Sequence, residues 1–204
     1  MNNISKRIVS VITAVVAAAA MSVTAFAADY GSAPSYPNTS STAPSATTDE
    51  VKESIDSAIK DSKEGTAKVE VENTKSLVLT ADTLKKLAKT GDGTLEIVSP
   101  KVTISINADS IKNAARTNLS ASVKNTKSST TVKFATKAKF GCEVKVAVTS
   151  CKMSKAALEK AHVYVSKVDP KTGETVTTDL GPVELDENGV PVITVAQGGE
   201  YTIK

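Results

Sequence analysis

Aromatic side chains are scarce in this chain: three Phe, four Tyr and no Trp among 204 residues. Phe26, Tyr30 and Tyr36 lie in the N-terminal stretches, which leaves Phe134, Phe140, Tyr164 and Tyr201 for a folded region. Glycan recognition usually stacks a sugar on exposed rings of fixed shape, so four scattered rings make a poor platform. The core must instead come from Val, Ile, Leu and Ala. Histidine is rarer still, with His162 alone. A catalytic histidine needs a nucleophile and an orienting carboxylate around it, and no Gly-x-Ser-x-Gly elbow occurs. A zinc site needs three or four nitrogen, sulfur or carboxylate ligands, for which one His and two Cys are a thin supply. The Gly91-Asp92-Gly93 loop lacks the Lys-Ser/Thr that holds a nucleotide phosphate, and DENG (Asp186 to Gly189) lacks the spaced ligands of a calcium loop. We therefore expect no catalytic residue, no cofactor-binding residue and no metal ligand, and read the chain as not an enzyme.

Charge of one sign is also missing. The chain has 25 Lys and Arg against 22 Asp and Glu. Lys6 and Arg7 fall in a short N-terminal segment that reads as removable, leaving 23 against 22 and a net +1. That balance excludes the basic footprint of a nucleic-acid binder.

The segment in question is residues 1–27. Lys6 and Arg7 precede an apolar core, IVSVITAVVAAAA, and Ala25-Phe26-Ala27 is a small-x-small cleavage site. This is the pattern of a signal peptide cleaved near Ala27-Ala28, and the apolar core is shorter than the roughly 20 residues that span a bilayer. No membrane span is expected in the mature chain, and the location is secreted, extracellular or cell surface. The C-terminus, GGEYTIK, has no sorting motif with an apolar tail, so release or non-covalent retention is expected.

Residues 28–46 are rich in Ser, Thr, Pro and Ala with no apolar period, which reads as a disordered, extended spacer. Residues 47–204 form a β-rich globular region, either whole or as two subdomains, 47–136 and 137–204. Thr47-x-x-Glu50 is a capping box opening a helix whose Val51, Ile55, Ala58 and Ile59 share a face, with Gly65 as its stop. Its polar face mixes Glu53, Asp56 and Asp61 with lysines, which suits packing on the domain better than lying on a membrane.

An internal repeat follows. LTADTLKKLA (79–88) matches INADSIKNAA (106–115) at an offset of 27 residues. Each copy reads as the end of a strand, a capping Thr80 or Asn107, and a short helix with Asp82 or Asp109 in its first turn. A carboxylate there meets free N–H groups and the positive helix end, so capping explains this Asp pair better than acid–base or metal chemistry. Leu84 and Leu87, like Ile111 and Ala114, should face inward. Strands are expected at 76–79, between Gly93 and Ser99, and at 102–106, and then at 118–124, 130–136, 143–149, 162–168, 175–179, 183–186, 190–195 and 200–203. Turns are expected at Ser99-Pro100, at DPKTGE (169–174) and at DENG, and a short capped helix or turn at 154–160. The fold class is α+β, mostly β: antiparallel sandwich-like sheets with two short repeat helices and an N-terminal helix.

The repeated (L/I)-x-(L/I)-x-A-D-(T/S)-(L/I)-K core and the C-terminal run from His162 to Lys204 together resemble the non-catalytic β-rich modules of secreted and surface proteins of Gram-positive anaerobes, in the style of S-layer- or cellulosome-associated architectures. The matching positions are Asp169, Thr172, Gly173, Asp186, Asn188, Gly189, Gly198, Gly199 and Tyr201. The resemblance spans roughly residues 66–204 and implies a structural, adhesive or assembly role without catalysis. The chain departs from the larger members in having no recognisable attachment repeat or dockerin. A small glycan- or wall-binding module is the alternative, and the partner is an extracellular protein, a wall polymer or a glycan.

The two cysteines frame one such strand, GCEVKVAVTSC. Val144, Val146 and Val148 alternate with Glu143, Lys145, Ala147 and Thr149. A strand rises about 3.3 Å per residue, so nine steps part Cys142 from Cys151 by roughly 30 Å, against the 7 Å or so that a disulfide bridges. The alternative is a bend near Thr149-Ser150. On the strand reading Cys142 shares the buried parity of the valines.

Overall fold

The computed structural model describes residues 49–62, 65–168 and 172–204. The expected signal peptide, the spacer, Thr47 of the capping box and Asp169 of the first hairpin turn lie outside the described residues.

Helix α1 (Asp49–Ser62) starts on two acids, Asp49 and Glu50, and buries Ile55, Ala58 and Ile59. It packs against β1 (Thr66–Glu70), where Ala67 and Val69 point inward between Lys68 and Glu70. Strand β1 was not among the strands expected from sequence, although TAKVEVE alternates cleanly. A two-residue strand, β2 (Val78–Leu79), leads to helix α2 (Ala81–Ala88). Strands β3 (Thr94–Val98) and β4 (Thr103–Asn107) form a hairpin. Ser99 closes it: its hydroxyl donates to Val102 O (2.8 Å) and accepts from Val102 N (3.2 Å). After a 3-10 turn at Ala108–Ser110 come β5 (Thr117–Asn118), β6 (Ala121–Asn125), β7 (Thr130–Phe134) and β8 (Lys139–Ala147). A single-turn helix, α3 (Lys155–Leu158), precedes β9 (His162–Val168), β10 (Thr175–Pro182), β11 (Glu184–Leu185), β12 (Pro191–Gln197) and β13 (Glu200–Ile203).

These strands make a six-stranded sheet, β1-β3-β4-β8-β12-β11, a five-stranded sheet, β10-β9-β13-β7-β6, and the small pair β2-β5. The fold is mostly β and sandwich-like, as the sequence implied. It departs in one pair: β1 and β3 run parallel. Parallel neighbours need a crossover connection, and β2 with α2 supplies it. Both large sheets combine strands from either side of residue 136. Their alternating apolar residues join one buried cluster, with Leu95, Ile97, Ile104, Ile106, Val144 and Val146 from the larger sheet and Val132, Phe134, Val165, Tyr201 and Ile203 from the smaller.

The repeat is real as sequence but unequal as structure. In the first copy Thr80 Oγ1 accepts the Thr83 N–H, and Leu84 and Leu87 are buried under a two-turn helix. In the second copy the expected helix is only the 3-10 turn. Asn107 makes no cap, because its side-chain oxygen accepts from Thr94 Oγ1 at 2.9 Å instead. Downstream, the N–H groups of Lys112 and Asn113 both donate to Gly141 O at 2.9 Å, which draws the chain away from helical continuation. Gly141 has φ +74°, and a Cβ there would stand 2.2 Å from Asn113 O. Ile111 and Ala114 still pack against the core, half-buried.

Candidate functional site

The side chains with the most chemistry meet on the outer face of the five-stranded sheet. In β9, Val163 and Val165 point inward, so His162 and Tyr164 point outward, as their parity requires. Antiparallel pairing sets Asp179 of β10 opposite Tyr164, and the register then shifts before Pro182 reaches His162. Gly181 (φ +104°) accommodates that shift. Across it, Asp179 Oδ1 accepts the Gly181 N–H (2.8 Å), and Asp179 Oδ2 lies 2.8 Å from His162 Nδ1. The Gly181 N–H first, and the His162 hydrogen bond second, hold the Asp179 carboxyl below the ordinary carboxylate range. The His162 ring stacks on Tyr164 (centroids 6.4 Å, planes 27° apart), and Lys204 Nζ stands 4.7 Å over the Tyr164 ring. Lys204 is held there by backbone bonds in both directions with His162, at 3.0 and 3.1 Å.

This is a His–Asp pair, but its geometry serves the strand pair. The carboxylate spans the interval where the β9–β10 ladder is out of register, and so ties the edge strand back to its neighbour. In a hydrolytic triad the second ring nitrogen faces a nucleophile. Among the described residues, the hydrogen-bond partner of the ring is Asp179, at Nδ1. The pair was not foreseen from sequence. The two residues lie 17 apart on opposite arms of a hairpin, and only the register of that hairpin could have brought them together on paper.

The other candidates are accounted for locally. Asp82 and Asp109 are exposed, and Asp82 Oδ1 pairs loosely with Lys85 at 3.7 Å. Asp186 Oδ1 accepts from Asn188 N and Val190 N, both at 2.8 Å, with Gly189 at φ +76°, so DENG closes the β11–β12 hairpin. Cys142 is buried at 4% exposure, and burial pushes its thiol up to about 11. A turn does occur at Thr149-Ser150, where Cys151 N reaches Val148 O. It comes after the strand has ended, and both thiols are free. Cys151 Sγ lies 3.3 Å from Thr130 Oγ1. Among the described residues no group of three or more His, Cys, Asp and Glu is placed to hold a metal.

Three of the four folded-region rings are core. Phe134 meets Phe140 (5.3 Å) and Tyr201 (6.1 Å) edge-on, and Tyr201 OH donates to Gln197 O. Tyr164 alone is half-buried. A surface cleft of about 620 Å³ opens between α1 and α2, with Ile59 in its lining and Lys60, Lys86 and Lys89 around it. Lys86 is engaged by Asp56, which also accepts from Thr83 Oγ1 at 2.8 Å.

No known protein family, curated protein or solved structure matches the chain. Among the described residues no helix is long and apolar enough to cross a membrane.

Proposed function

We propose that the chain is an exported, non-catalytic module of the extracellular space or cell surface, with a structural, adhesive or assembly role. One observation carries this reading: the residues that could do chemistry are engaged in holding strands together. His162 and Asp179 bridge an irregular hairpin, Asp186 shapes a turn, and Cys142 is buried in the core. The signal-like first 27 residues, the Ser/Thr/Pro-rich spacer and the resemblance of the C-terminal run to surface modules point the same way.

A glycan-binding role has less support. Phe134, Phe140 and Tyr201 face the interior, and Lys204 lies over the one ring that does not. The test is a pull-down with cell-wall fractions and native gels against polysaccharides, run beside a turnover panel of glycans, peptides and esters. Retention in the wall or protein fraction without turnover is expected. Turnover by the purified protein would falsify the reading.

A further inference from the structure

The cations of this chain are almost all lysine, and Arg116 is the one arginine beyond residue 7. It lines a surface cleft of about 310 Å³ between the β2–β5 pair and the β7–β8 turn. That volume is at the small end of ligand pockets, which run from roughly 300 to 1,000 Å³. Lys139 and Asn118 line the same cleft, and its lining contains no Asp or Glu. Three other clefts carry their own compensation. Asp56 engages Lys86 between α1 and α2. Glu72 shares a cleft with Lys75 and Lys101 at the β3–β4 turn. Lys133, in a third, pairs with Glu200 at 3.1 Å. Among the described residues neither Arg116 nor Lys139 has an ion-pair partner. Asn118 Oδ1 accepts from Ser120 N at 2.9 Å, and the NH2 of that side chain has no acceptor among the described residues. The walls are fixed. Thr117 Oγ1 donates to Phe140 O at 2.9 Å, which clips β5 to β8 and sets Arg116 and Lys139 on neighbouring segments. Ala138 N donates to Thr136 Oγ1 (3.1 Å) and Ala138 O accepts from Gly198 N (2.8 Å), which seats the β7–β8 turn on the end of β12. Walls already held lose little freedom when a ligand binds.

We propose that this cleft binds a phosphate monoester group, with Arg116 and Lys139 neutralising its charge and the Asn118 amide donating to a further oxygen. Two uncompensated cations call for a dianion. A phosphate monoester carries about −1.5 to −2 at pH 7, whereas a carboxylate, with a single charge, leaves one cation unmatched. The planar arginine fork grips phosphate oxygens in pairs, and lysine adds a point charge. The cleft offers no ring for a sugar or base to stack on, because its one aromatic, Phe140, is buried, so recognition is of the charged group. The group is borne on an extracellular wall polymer or glycan. This gives the partner of the reading above a chemical handle and rests on that reading.

The test is an NMR titration of the purified chain at fixed ionic strength, first with glycerol 1-phosphate and then with polymer released from wall fractions, before and after phosphatase treatment. Saturable shifts are expected at the Arg116 side chain and at the amides of Thr117, Asn118 and Lys139. Arg116→Ala, checked for folding by circular dichroism, should weaken binding roughly ten- to a hundredfold, and Arg116→Lys should restore only part of the loss. Lys60→Ala, in the cleft between α1 and α2, should change nothing. Acetate should bind more weakly than glycerol 1-phosphate, and phosphatase should abolish binding of the polymer. Shifts that never saturate, shifts spread over the lysines at large, an Arg116→Ala variant that binds like the wild type, or acetate binding as tightly would overturn the site. Binding of glycerol 1-phosphate but of no polymer would overturn the polymer as its bearer. None of these results touches the non-catalytic reading, which fails on turnover.

Discussion

Val144 and Val146 on β8 are fully buried, whereas Val168 and Val176 on the β9–β10 hairpin are half exposed. All four are valines in strands with the same period of two. On β8 the alternation sends one face into a core shared by both sheets, and the opposite face carries Glu143 and Lys145. On β10 the alternation continues, but almost every residue meets solvent. The contrast shows that the same pattern can either hold a domain together or leave a strand unfinished. What decides is the number of layers covering it, which a short stretch of sequence does not record.

Phe140 is 1% exposed and packs edge-on against Phe134, so Phe140→Ala should lower unfolding free energy by about 3–5 kcal/mol in urea melts. Gly141→Ala combines a left-handed φ with a Cβ driven against the Asn113 carbonyl and should cost at least about 2 kcal/mol. It should also release the amides of Lys112 and Asn113 to faster hydrogen exchange. A matched pair sharpens the contrast: Val144→Ala should cost about 2 kcal/mol, and Val176→Ala less than about 0.5 kcal/mol. Equal effects from the two would mean that β10 is buried in solution.

Much of the fold was legible. Strands 162–168 and 200–203 were read to the residue, because alternation, a preceding turn and the chain end all agreed there. Strand β1 is equally legible in TAKVEVE, although the helix stop at Gly65 beside it masks the alternation. Its parallel pairing with β3 was not legible, since residues 66–70 and 94–98 meet only after α2 has crossed between them. The second repeat helix failed for a long-range reason. Asn107 has a competing partner in Thr94, and the chain beyond it is drawn to Gly141. Both cysteines are free, but the strand expected to carry them apart stops at Ala147, and the bend held as the alternative at Thr149-Ser150 is present. The His162–Asp179 pair needed a register containing an irregularity that no residue count supplies.

The smallest expected effect is on pH dependence at the hairpin. The Asp179 carboxyl titrates below its ordinary range when folded, so its ionised form favours the native hairpin. That contribution is full above the ordinary carboxylate range and is lost as pH falls through the lowered value. The Gly181 amide resonance should report this titration with a midpoint below that of a free Asp, and Asp179→Asn should abolish it. A midpoint at the ordinary value would mean that the Gly181 and His162 bonds do not persist in solution.

Strand β10 stands exposed at a sheet edge, while β4 and β8 lie in a closed interior. Hydrogen exchange resolved residue by residue tests this contrast. Amides of β10 between Thr175 and Leu180 should exchange faster than those of β4 and β8. Exchange in β10 as slow as in β4 and β8 would contradict it.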